Sequence, residues 1–286
     1  MFMHEVCEVT GLTRKAVEYY TMQNLISPSV LENGYRDFSE TDVERLKKVS
    51  VLRKLGIGTD GIRAVLEDGT GEALRSLSLK AELSLEREQA KKKILDDLGS
   101  GKSYSDVRED LKAIEDRATI TEKLLEAFPG YYGRFICLHF GRFLDEPIVT
   151  DKQNNAYGRI LAFLDKVPPF ELPEDLKEYL TENTKHMGTI EINEMIANVK
   201  SSVENPEAFL EEHKELLEQY YLYRDSDEYR NSPACRIQSL LMEFNKTGGY
   251  YDEFIPAMRD ISPAYAVYCK QLEAANEKFK AAYPEV

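Results

Sequence analysis

Thr13, Arg14 and Lys15 open a short helical pattern whose apolar members, Val17 and Tyr20 with Ala16 beside them, fall on one side. A hydroxyl and two cations are left on the other side of its first turn, where donors can reach base edges in a major groove. Tyr19 and Tyr20 follow, and a phenolic hydroxyl can donate to a phosphate oxygen. Further on, Asn33-Gly34-Tyr35-Arg36 sets a hydroxyl and a guanidinium beside a turn, a combination suited to gripping backbone phosphate. Arg53 and Lys54 add two cations at the end of a later helical pattern. The chemistry these residues offer is hydrogen bonding to, and neutralisation of, a polyanion. Bond-making chemistry has no comparable signature: there is no G-x-S-x-G, P-loop or dinucleotide fingerprint and no carboxylate pair singled out by spacing. The chain therefore reads as a non-enzyme with no cofactor. Cys7, Cys137, Cys235 and Cys269 stand far apart, and His4, His139, His186 and His213 have no ligand-spaced partners, so no metal site is expected.

The elements that must position these residues are legible from local grammar. Met3 to Val9 is a short amphipathic stretch. Gly11 then supplies a turn, and Thr13 can cap a helix from Arg14 to about Met22. Leu25-Ile26-Ser27-Pro28 is an extended exit, and Asn33-Gly34 between extended residues predicts a hairpin, that is, a wing after a helix-turn-helix. Phe38-Ser39-Glu40-Thr41-Asp42 predicts the cap of a helix carrying Val43, Leu46, Val49, Leu52 and Leu55. Arg45, Lys47, Lys48, Arg53 and Lys54 lie on or near its polar faces. Gly56-Ile57-Gly58-Thr59 turns into a last helix from Asp60 to Leu66.

Beyond the breaker cluster Asp68-Gly69-Thr70-Gly71, residues 72–128 are highly charged and are split by Gly99-Ser100-Gly101 into two helical stretches. In the second, Tyr104, Val107, Leu111, Ile114, Ala118, Thr121, Leu125 and Phe128 alternate spacings of three and four, a heptad seam. In the first, Leu74, Leu77, Ala81, Leu95 and Leu98 fit one register, interrupted by Ser84, Glu88 and Lys91. Two readings stay open: amphipathic helices packed within one chain, or an arm that pairs two chains through Leu74, Leu77, Leu95, Leu98, Val107, Leu111 and Ile114. Residues 130–286 read as helical throughout, with starts at Pro173-Glu174-Asp175, Asn205-Pro206-Glu207 and Ser262-Pro263. One amphipathic run extends from Pro206 to about Tyr223, and the Arg134–His139 segment is either strand or helix. The fold class is thus mainly α: a winged helix-turn-helix over 1–68, a helical connector and dimerisation arm over 69–129, and an all-α domain over 130–286.

Charge follows the same division. The 286 residues carry 37 basic and 51 acidic side chains, a net of −14. Residues 130–286 account for −10 of this, whereas residues 11–63 are net +2. A chain that grips nucleic acid or an anionic membrane over its whole surface is excluded, but a local DNA-binding face is not. Absence of a charged-then-apolar leader or of an apolar run of about 18 residues predicts a cytoplasmic protein that does not enter membranes, and the sparse cysteines fit a reducing compartment.

Thr10-Gly11-Leu12-Thr13, Tyr19-Tyr20, Leu25-Ile26, Asn33-Gly34-Tyr35-Arg36, Phe38-Ser39, and Leu52-Arg53-Lys54-Leu55-Gly56-Ile57 through Ile62-Arg63 follow one another as in the DNA-binding domain of the MerR family of transcription regulators. The resemblance covers about residues 3–67. It departs at Glu18, where members commonly carry an Arg before the tyrosine pair, and at Thr21, where they commonly carry an acid. Glu18 is expected to pair with Arg14 or Lys15 one turn back. The resemblance implies a homodimer joined by an antiparallel coiled coil and seated on a palindrome of double-stranded DNA. It further implies an overlong promoter spacer that the dimer untwists for RNA polymerase when an effector binds.

Metal-sensing members carry Cys near the end of the coiled coil, and this chain has none there. Its rings point elsewhere: 22 of 29 Phe and Tyr residues lie in 130–286. Tyr220, Tyr223, Tyr250 and Tyr251 stand beside acids such as Asp225 and Asp252, so they are candidates to hold a cationic or large planar organic effector. The same rings could equally build a helical core. The acidic run Glu204, Glu207, Glu211, Glu212, Glu215 and Glu218 leaves open a protein partner in place of a small molecule.

Overall fold

The computed structural model describes residues 1–128, 130–168 and 170–283; Pro129, the expected border between arm and C-terminal domain, lies outside them. The chain divides into two compact units, Met1–Leu77 and Ser78–Val286.

The first unit begins with helices α1 (Met3–Thr10) and α2 (Arg14–Met22), strands β1 (Ser29–Val30) and β2 (Arg36–Asp37), and helices α3 (Glu40–Lys54) and α4 (Thr59–Glu67). Its core is Val6, Val17, Tyr20, Leu25, Ile26, Phe38, Val43, Leu46, Val49, Leu52 and Ile62. One apolar stripe per helix supplies most of these residues, and the segments flanking the hairpin supply Leu25, Ile26 and Phe38; burying such stripes is how short helices gain stability in a small domain. Leu55 departs from expectation. It is the C-cap of α3 and is 71% exposed, because the chain turns at Gly56, whose φ of +82° ends the helix.

The hairpin is antiparallel, Ser29 opposite Asp37 and Val30 opposite Arg36. Leu31 N–H donates to Tyr35 O at 2.8 Å, and Gly34 N–H to Leu31 O at 2.8 Å. Gly34 has φ +79°. The loop is therefore three residues, a turn closed by a left-handed glycine, rather than a two-residue Asn-Gly turn.

Helix α5 (Glu72–Gly99) continues into the second unit and is followed by α6 (Tyr104–Ala127), α7 (Gly130–Gly141), α8 (Asp151–Lys166), α9 (Glu174–Thr184) and α10 (Thr189–Glu204). Then come α11 (Pro206–Glu212), α12 (Lys214–Asp225), α13 (Asp227–Arg230), α14 (Pro233–Thr247), a π-helical turn Tyr250–Phe254, α15 (Ile255–Ile261) and α16 (Pro263–Ala282). Among the described residues the wing holds the only strands, and the fold is mainly α. The Arg134–His139 segment is helical. The run from Pro206 is broken at His213, whose ring stacks on Phe209 at 4.3 Å, so α11 and α12 are separate.

The heptad on α6 serves the interior of its own chain. Val107, Thr121, Leu125 and Phe128 are buried, as are Ala113, Ile120 and Leu124 between them. A coiled-coil seam buries a narrow stripe; α6 buries a wide one because it packs on both α7 and α8. Val107 and Ile114, expected to face a partner chain, are turned inward, with Ile114 lining a cleft against α5, while Leu111 stays at the surface and Tyr104 is fully outside. On α5, Leu74 and Leu95 are exposed, Leu77 and Leu98 are half-buried, and Leu85, not anticipated, is 60% exposed.

About half of the rings of the second unit form its core or pack against it. Phe140 is its hub, edge-on to Phe254 at 5.0 Å, Tyr265 at 5.5 Å and His139 at 4.9 Å. His139 also meets Phe143 at 5.8 Å and Tyr268 at 5.7 Å. Burial, with a smaller contribution from the Arg142 guanidinium, pushes its pKa down to about 4. Cys137 is buried with its thiol pushed up to about 12 by burial, and its S–H donates to Thr121 O at 3.7 Å, a packed small hydrophobe rather than a reactive thiol.

His139 makes stability depend on pH. Its folded pKa lies below the unfolded value near 6.5, so the unfolded chain binds the extra proton. Its full contribution is present above pH 6.5 and is lost as pH falls towards 4, about 3 kcal/mol across the window. Thermal melts of the wild type between pH 7 and pH 4.5 should show this fall, and His139→Phe should flatten it. An unchanged slope in the variant would show that His139 is not its source.

Candidate nucleic-acid interface

The candidate face is assembled from three pieces of the first unit: the start of α2, the wing, and the turn after α3. Gly11, with φ +66°, lets α1 end and the chain reverse. Thr13 caps α2, its hydroxyl accepting from Ala16 N–H at 3.2 Å. Arg14 and Lys15 are exposed in the first turn. Arg14 Nε donates to Glu18 Oε1 at 2.9 Å, so the departing Glu18 takes the partner expected of it. Lys15 has no ion pair among the described residues.

The tyrosine pair splits. Tyr19 is at the surface, its hydroxyl 3.3 Å from Thr59 Oγ1. Tyr20 is 6% exposed and belongs to the core, so its hydroxyl leaves the candidate set. The two share one helix face only in part, because residues adjacent in a helix are about 100° apart.

The wing presents Tyr35, 66% exposed, and Arg36, half-buried on β2. Asn33 Oδ1 accepts from Tyr35 N–H at 3.1 Å and shapes the tip. Both feet of the wing are held by one carboxylate. Asp42, buried at the start of α3, accepts from Ser27 N–H at 3.1 Å through Oδ1, and from Ser39 N–H at 3.0 Å and Ser39 Oγ at 2.7 Å through Oδ2. An open groove of about 530 Å³ brings Arg14 from α2 together with Asn33 and Tyr35 from the wing and His4 from α1. Arg53 Nη1 donates to Ile57 O at 2.9 Å, closing the turn after α3, while Lys54 is exposed. Sequence reading missed Asn33 and His4 as groove residues. It also missed Arg63, whose Nη2 donates to Gln23 O at 2.8 Å and secures the end of α2.

The effector candidates are not gathered. Tyr220 and Tyr223 lie on α12, where Tyr220 meets Tyr221 at 5.6 Å and Tyr223 meets Tyr229 at 5.4 Å. Tyr250 and Tyr251 lie on the π-helical turn, 5.3 Å from each other. Burial raises the Tyr250 hydroxyl pKa well above its ordinary value, the mark of a core ring. Among the described residues no group of three or more His, Cys, Asp or Glu comes together to hold a metal ion, and no helix is long and apolar enough to cross a membrane.

Residues 1–69 match the family model described as MerR HTH family regulatory protein. The chain is 23% identical over 155 residues to the HTH-type transcriptional activator mta of Bacillus subtilis, covering 54% of this chain and 60% of that protein. It is 33% identical over 82 residues to the HTH-type transcriptional regulator CueR of Yersinia pestis, covering 28% and 59%. Against the HTH-type transcriptional regulator TnrA of Bacillus subtilis it is 32% identical over 91 residues, 32% of this chain and 73% of that protein. The chain thus spans about 60% of the length of mta and of CueR. No solved structure matches it.

Asp42→Ala leaves the Ser27 and Ser39 amides without their acceptor, a loss of about 2 kcal/mol. The first unit should melt earlier, and the wing amides of Leu31 and Tyr35 should exchange hydrogen faster than in Asp42→Asn, which keeps an acceptor. Equal exchange in wild type and Asp42→Ala would show that the wing stands without the clasp.

Proposed function

Because the chain belongs to the MerR family of helix-turn-helix regulators, we propose that it acts as a dimer on a promoter palindrome, with RNA polymerase as the reader of the DNA it deforms. The observation that carries this is the groove shared by Arg14 of α2 and Asn33 and Tyr35 of the wing, on the one segment whose charge is positive. In this reading Thr13, Arg14 and Lys15 enter the major groove, and Tyr19, Tyr35, Arg36, Arg53 and Lys54 hold the flanking phosphates. Glu18 restrains Arg14, which leaves Lys15 as the first-turn cation free to reach a base edge. Two such domains on one duplex need a pairing surface. The exposed leucines of α5, Leu74, Leu85 and Leu95, offer one that α6 no longer does. An organic effector bound in the helical remainder of the chain biases the switch, working against a DNA deformation of about 1–6 kcal/mol.

A second reading places a protein partner on α12, which buries none of its residues and exposes Leu216 and Leu222 beside the acids of α11 and α12.

Binding to the DNA upstream of the chain's own gene tests the first reading, with the salt dependence measured on operator and random duplex. Arg36→Ala should weaken both about equally and lower the slope of log K against log salt by roughly one, as loss of one phosphate contact does. A loss confined to one base position would contradict that role. Lys15→Ala should relax base preference instead; intact selectivity would place Lys15 on phosphate or in solvent.

A further inference from the structure

Helices α5 and α6 enclose a cleft of about 330 Å³, within the range of small-molecule sites. Its apolar lining is Leu83 and Ala90 from α5 and Ile114, Ala118 and Leu125 from α6. Its polar lining includes two guanidinium groups in different states. Arg117 is engaged, Nη1 at 2.6 Å from Asp145 and Nη2 at 3.4 Å from Glu86. Arg87 reaches Glu122 only at 3.5 Å, and its Nε–H is buried without a hydrogen-bond partner. The lining carries three cations, Lys80, Arg87 and Arg117, and three carboxylates, Glu86, Glu122 and Glu126; among its described side chains the Nε–H of Arg87 is the buried donor left without an acceptor. Glu86 and Glu122 already face Arg117 and Arg87.

At about 100° per residue, Leu83, Arg87 and Ala90 fall on the opposite side of α5 from Leu85, whereas Leu95 falls about 20° from Ser84 at the edge of the cleft. A second copy seated on Leu85 would leave Leu83, Arg87 and Ala90 uncovered.

We propose that this cleft binds an organic anion, a carboxylate or sulfonate borne on an apolar ring system, with the anion accepting from Arg87 and the rings lying on Ala90, Ala118 and Leu125. This names the effector site and its ligand class, and so rests on the reading of the chain as a ligand-switched regulator. It also reverses the charge expected of the effector from the tyrosines and acids of residues 130–286. A ligand there touches α5 and α6 at once and so sets the spacing between them, which gives it differential affinity for two arrangements of the helix pair.

The test uses the full chain and two probes, 8-anilinonaphthalene-1-sulfonate as the aromatic anion and tetraphenylphosphonium as the aromatic cation, titrated by fluorescence and by calorimetry respectively. The expected result is one saturable anion site per chain and weaker binding of the cation. Arg87→Gln should weaken the anion about tenfold, as loss of a charged hydrogen-bond donor does, with an unchanged melt. Ala118→Phe, which fills the cleft, should remove the site. Arg87→Gln alters a partly exposed side chain, so it carries the result if Ala118→Phe fails to fold. No saturable binding, equal binding of anion and cation, or wild-type affinity in Arg87→Gln would each overturn the proposal. Gel retardation of the upstream DNA, run without probe on the same preparations, is read independently: its failure sinks the regulator reading, whereas failure of the probes alone sinks only the site.

Discussion

The wing owes its placement to Asp42. A hairpin of two residues per strand cannot hold itself in water. Here Ser27 and Ser39, just outside its two ends, both donate to one carboxylate, which is itself fixed at the first turn of α3. The wing is therefore a loop with both feet on a single side chain. The docking of Phe38 and Ile26 into the core of the first unit completes the base. Tyr35, Asn33 and Arg14 share a groove only because this base is fixed. A carboxylate at a helix N-terminus is favoured by the dipole as well as by the free N–H groups, so the same group that begins α3 can hold the wing at little cost.

The second unit depends on a different physical effect, the burial of rings. Phe140, Phe163, Phe254 and Tyr265 are packed among α7, α8, α15 and α16, mostly edge to face, the arrangement that the ring quadrupole favours. His139 is held neutral among them, and the Arg142 guanidinium lies over Phe143 at 4.6 Å and Tyr268 at 5.3 Å. The concentration of Phe and Tyr beyond residue 130 thus has a structural use first. α12 is the contrast: its tyrosines stay at the surface, where Arg224 lies over the Tyr220 and Tyr229 rings.

Between these lies the question of what α5 and α6 do. The sharper heptad belongs to α6, yet α6 turns that stripe and its neighbours inward. The weaker pattern belongs to α5, and its leucines remain outside. Leu79 and Ile94 of α5 are buried on its own chain, while Leu85 and Leu95 stay exposed among charged side chains. The cleft lies on the inward side of α5, against α6.

The sequence alone determined what is local. Gly11, Thr13, Asn33-Gly34, Ser39 with Asp42, Gly56 and Ser262-Pro263 each act within about four residues, through φ preference or a side chain meeting a nearby amide, so the helix-turn-helix, the wing and most helix starts were readable in order. The mainly α class followed from the same signals. Only the tertiary structure decided which apolar side of a helix is covered and by what, because that depends on residues far along the chain. It placed Tyr20 in the core and Tyr19 outside, gave Asp42 its second partner at Ser27, broke the run at His213, dispersed the four candidate tyrosines, and turned the α6 heptad inward. Periodicity tells that a helix has an apolar side; only the neighbours that reach it determine whether that side meets its own chain, another chain or a ligand.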